Sequence, residues 1–122
     1  MEAEKYVLQL TKKLINLCEE ADQIYDLVRE SGKEHDFYTE VKPFADKVHD
    51  LTTEWSEQMK KRMKEEHFRY IFPQQIDQTA QNLTDISVQA FFSKTSYSRF
   101  KSHVQSVKFI LKSVETEINN NM

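Results

Sequence analysis

Apolar residues at Val7, Leu10, Leu14, Leu17, Ala21, Ile24 and Val28 follow one another in alternating steps of three and four. An α-helix returns side chains to one face at that spacing, and a strand does not. The alternation recurs at Phe100, Val104, Val107, Leu111, Val114 and Ile118. Two such stripes near opposite ends of a chain require helices that bury one face against each other. The turn formers agree: 122 residues include 1 Gly and 2 Pro, against about 7% and about 5% in average proteins. A sandwich or barrel of short strands needs many more turns. The length suits one domain, 1–122, with a single core.

Two further stripes lie between, the later one weaker. Phe37, Val41, Phe44, Val48, Leu51, Trp55, Met59 and Met63 form the second, and Ile76, Ala80, Leu83, Ser87 and Ala90 the third, widened by Ile86 and Phe91. Gly32 follows the first stripe and suits the left-handed residue that ends a helix. Asp36 precedes the second and can accept from its free N–H groups. Pro43 lies within that stripe, where its ring and missing N–H predict a kink or a restart. Pro73 suits a first helical turn, and Ser93 to Ser96 read as a loop with a helix start. The expected fold is all-α: an antiparallel up-down-up-down four-helix bundle with helix 2 kinked near Pro43. A three-helix arrangement with the third segment docked less regularly is the alternative. Residues 1–50 carry 12 acids and 7 bases, and residues 94–122 carry 5 bases and 2 acids. Helices 1 and 4 are therefore expected side by side.

Several activities are disfavoured. The net charge of −3 has the wrong sign for a protein built on phosphate contacts. The runs of apolar residues reach three, as at Ala90-Phe91-Phe92, where a membrane span needs about 20. The charged start, Met1 to Tyr6, does not read as a secretion signal, and the single Cys18 fits a reducing cytoplasm.

Asp36-Phe37-Tyr38, Lys42-Pro43, Trp55, Tyr70, Gln75-Ile76, Arg99-Phe100-Lys101 and Glu117-Ile118 stand in an order that resembles the YppE-like family. These are small uncharacterised cytosolic proteins of Gram-positive bacteria. The resemblance runs from about Glu34 to Ile118, and helix 1 shares its character more than its letters. It implies an all-helical bundle and supplies no activity, cofactor or catalytic residue.

Candidate constellations are few. Asp46-x-x-His49 is the nearest match to the Glu-x-x-His pairs of di-metal bundles, and both residues fall on an outer face. No metal site or cofactor is expected. Cys18 flanks the first stripe beside Glu19 and Glu20, the setting of a small buried hydrophobe more than of a thiolate. Lys60, Lys61, Arg62 and Lys64 suit the C-terminal end of a helix. With Phe68, Tyr70 and Phe72 nearby they also outline a nucleic-acid surface, which Glu65 and Glu66 interrupt.

Aromatic placement is more informative. The bundle would gather Phe37, Tyr38, Phe91, Phe92, Tyr97 and Phe100 at one end, either as a ligand pocket or as closure of the core under the loops. Leu8, Ile15 and Phe109 point away from their stripes. They outline an outer patch for a protein partner or a weak homodimer, unless helical drift of about 20° per heptad turns them inward. The expected function is a non-enzymatic interaction module, monomeric or weakly dimeric. The alternative is a small-molecule or metal-dependent bundle enzyme, with Tyr38, Glu40, Tyr97 and Arg99 as its polar candidates.

Overall fold

The computed structural model describes residues 2–121, which leaves Met1 and Met122 outside the description. Four helices account for most of it: α1 (Glu2–Ser31), α2 (Lys42–Glu65), α3 (Pro73–Gln89) and α4 (Tyr97–Asn121). α1 ends where Gly32 turns left-handed at φ +66°, its N–H donating to Val28 O at 2.8 Å. α4 continues through Asn119 and Asn120 to Asn121.

The contacts fix the directions of the helices. Glu4 meets Arg62 while Thr11 meets Trp55, so α2 runs against α1. Asp77 meets Lys60 while Thr84 meets Thr52, so α3 runs against α2. Cys18 meets Val104 while Tyr25 meets Phe100, so α4 runs against α1. The chain is an up-down-up-down bundle in which α1 packs on α2 and α4, and α3 packs on α2 and α4. Acidic α1 does lie beside basic α4: Lys101 Nζ reaches Asp22 and Asp26 at 2.7 Å each, and Lys108 reaches Glu19 at 3.6 Å.

The break at Pro43 is a restart. A π-helical turn, Phe37–Val41, leads into α2, with Pro43 in its first turn. Pro43 has no N–H and its ring crowds the carbonyl four residues back. The backbone widens, and Val41 N–H and Lys42 N–H reach five residues back to Asp36 O and Phe37 O. The widened turn rotates Phe37 off the stripe, so this expected core residue is exposed while Val41 is buried. Asp36 caps the turn as expected, accepting from Thr39 N–H at 2.9 Å. Glu40 reaches back to Asp36 N–H at 2.9 Å.

The core takes the inward residues of all four stripes, centred on Trp55, Leu14, Leu83 and Leu111. α1 contributes a second buried row, Thr11, Ile15, Cys18 and Tyr25. Thr11 Oγ1 donates to Val7 O at 2.8 Å and accepts from Trp55 Nε1 at 3.0 Å, so the buried indole N–H is satisfied. The buried Arg62 pairs with Glu4 at 3.3 Å and Glu66 at 2.7 Å.

Candidate functional site

Residues 66–72 return the chain from α2 to α3 along the C-terminal half of α4. Phe68 and Ile71 point inward and are buried. The Glu117 carboxylate accepts Arg69 N–H at 2.6 Å and Tyr70 N–H at 3.3 Å, which fixes the segment to α4. Tyr70 is thereby held outward, 68% exposed. Beside it stands Phe109, 70% exposed. The two rings border an open groove of ≈ 400 Å³ whose walls include Ile71, Ile110, Lys112 and Thr116.

The expected outer patch is therefore corrected. Ile15 is 8% exposed and belongs to the core, because α1 is covered on two sides and needs a wider apolar face than one stripe supplies. Leu8 is half-buried and packs against the core. The groove beside Phe109 is walled by neither. Sequence reasoning missed Tyr70 as its neighbour, because the bond from Tyr70 N–H to Glu117 that places it spans 47 residues.

The six aromatic residues expected at the other end do not share one pocket. Phe100 is fully buried and stacks on Tyr25, with ring centroids 4.0 Å apart. Tyr25 Oη donates to Thr95 O at 2.6 Å and accepts from Arg29 at 3.2 Å, closing the core beneath the α3–α4 loop. Arg29 and Lys101 lie over the Tyr97 ring at 5.4 and 5.5 Å. Burial works against the charge of Lys101, but the carboxylates of Asp22 and Asp26 outweigh it and raise its pKa. Phe91 is buried against Phe44 and His35. Phe37 and Tyr38 meet edge to face in solvent, and Phe92 is exposed. Phe91 and Phe92 alone of the six border a cleft, ≈ 310 Å³, between the α1–α2 and α3–α4 loops.

The polar candidates for chemistry are engaged structurally or lie in solvent. Glu40 is held below the usual carboxylate range, chiefly by Asp36 N–H. Tyr38 and Arg99 are exposed. Burial pushes the Cys18 thiol up to about 12, so it stays protonated, its S–H directed to Val104 O at 3.8 Å. Among the described residues no three His, Cys, Asp or Glu side chains are gathered around one point. Asp46 pairs with Lys42 at 2.7 Å. Lys60 pairs with Asp77 at 2.9 Å, and Arg62 is buried, so two cations of the basic run face the protein. Among the described residues no helix is long and apolar enough to cross a membrane.

Comparison with known proteins agrees with this architecture. An uncharacterised protein YppE of Bacillus subtilis is 25% identical over 112 residues, which cover 92% of this chain and 91% of that one. The crystal structure of that YppE superposes with a TM-score of 0.92 at 24% identity, covering 96% of this chain and 95% of its own. A Listeria innocua protein of unknown function superposes with a TM-score of 0.93 at 27% identity, covering 98% and 95%. The family model for a bacterial domain of unknown function, DUF1798, matches residues 11–118. The chain belongs to this family of small helical bundles, which has no assigned activity.

Proposed function

We propose that this protein is a non-enzymatic, cytoplasmic binding module that docks an amphipathic helix of another protein in the groove between Tyr70 and Phe109. The carrying observation is that two large rings stand in solvent over one groove, Phe109 on α4 and Tyr70 on a segment that Glu117 fixes to α4. Aromatic anchors of this kind dominate protein interfaces. The groove follows α4 from Phe109 to Glu117, about 12 Å at 1.5 Å per residue. That length matches apolar anchors at i, i+4 and i+7 of a docked helix. A second copy is a poorer occupant, since a two-fold pair would have to fill each groove with the rim of the other.

The test compares the wild-type chain with Phe109→Asp and Tyr70→Ser, each used as bait in its native cell extract. Both residues are exposed, so the variants are expected to melt as the wild type does. The proposal expects one stoichiometric partner, lost from both variants. A partner retained by both, or a doubled mass in light scattering that Phe109→Asp returns to monomer, would overturn it.

A further inference from the structure

We propose that the cleft between the α1–α2 and α3–α4 loops binds a small organic anion carrying an aromatic group, at a site separate from the α4 groove. Its ≈ 310 Å³ lies at the small end of the range for ligand sites, about 300–1,000 Å³. The charged groups that border it are Lys33, Lys94 and Glu34, a local excess of one positive charge in a chain of net charge −3. Phe91 and Phe92 supply its apolar wall.

His35 is fixed there from two sides. Its Nδ1 lies 3.1 Å from Glu40 Oε2, and its ring meets Phe91 edge-on at 5.4 Å. Glu40 is itself held by Asp36 N–H at 2.9 Å through the capping of the π-helical turn. With Nδ1 buried against a carboxylate, Nε2 of the neutral ring is an acceptor for a donor group of the ligand. The imidazole is 19% exposed. The two lysines are exposed and supply charge from either loop. An anionic group placed between Lys33 and Lys94 leaves an attached ring to lie on Phe92.

The test is an NMR titration of the isotope-labelled full chain with phenyl phosphate, inorganic phosphate and benzyl alcohol. Phenyl phosphate is expected to give saturable shifts at the amides of residues 32–35 and 91–94. Each fragment probe is expected to bind about tenfold more weakly, as is phenyl phosphate to a Lys33→Ala/Lys94→Ala variant, because charge-assisted contacts are lost. Both substitutions are on the surface, and an unchanged melting temperature checks the fold. The absence of saturable shifts at these amides, equal binding of the three probes, or unaltered affinity in the lysine variant would each overturn the proposal.

Discussion

Replacing Tyr25 by Phe removes one oxygen from a ring at the seam between α1 and α4. The ring is fully buried and its stacking on Phe100 at 4.0 Å is retained. What is lost is the 2.6 Å bond to Thr95 O and the 3.2 Å bond from Arg29. Arg29 is exposed and can turn to water; Thr95, half-buried, keeps a carbonyl with no partner. One net hydrogen bond plus a partly desolvated acceptor costs about 1–2 kcal/mol. Unfolding entropy of about 2.1 cal/mol/K per residue gives a 122-residue chain about 0.26 kcal/mol/K. The melting temperature should therefore fall by roughly 4–8 °C, read by circular dichroism. Tyr97→Phe is the control, because that ring is 51% exposed and its hydroxyl bonds nothing among the described residues. Hydrogen exchange should quicken in the loop around Thr95 for Tyr25→Phe alone. Equal melting temperatures for the two variants would refute the view that Tyr25 ties the α3–α4 loop to α1.

Further outcomes follow from the same contacts. Thr11→Val keeps the shape of the side chain but strands the buried Trp55 N–H, and should cost about 1–3 kcal/mol in chemical denaturation; no loss would show that the indole finds another partner. Gly32→Ala meets nothing within 4 Å, so its cost comes from the φ of +66° alone, about 1 kcal/mol or a drop of roughly 4 °C on melting; a stabilised variant would contradict this. Asp36, Glu40 and Asp77 are held below their ordinary carboxylate values by Thr39 N–H, Asp36 N–H and Lys60 respectively. Between folded and unfolded pKa the unfolded chain binds more protons, so stability is present above about pH 5 and is lost as pH falls through the folded values. Melting curves from pH 7 to 3 should show that loss, reduced in Asp36→Asn; a curve flat to pH 3 would contradict the assignment.

Much of this fold was legible because the information was periodic. The six stripe positions of α4 are all buried, and Gly32, Asp36 and Pro73 mark the ends they were expected to mark. What escaped was set by neighbours rather than by spacing. Tyr25 lies one residue from Ile24 in the stripe, yet it is Tyr25 that is fully buried and Ile24 that is partly covered. A helix covered by α2 on one side and α4 on the other buries two adjacent rows. Phe37 was misplaced because a π-helical turn breaks the 3.6-residue count on which stripes depend. The groove escaped for a third reason: Tyr70 and Phe109 are distant in sequence and border one groove because Glu117 holds the backbone of residues 69 and 70. No local pattern announces such a bond. Of the expected outer patch, Phe109 is the one exposed member.

The central claim is that partner binding runs through the groove between Tyr70 and Phe109. It is tested most directly by placing a photoreactive amino acid at Lys112, an exposed residue in the groove wall, in cells that naturally make the protein. Illumination should yield one adduct with a different protein, and Tyr70→Ser should abolish it while leaving the melting temperature unchanged. Adducts with a second copy alone, no adduct, or an adduct indifferent to Tyr70→Ser would contradict the account.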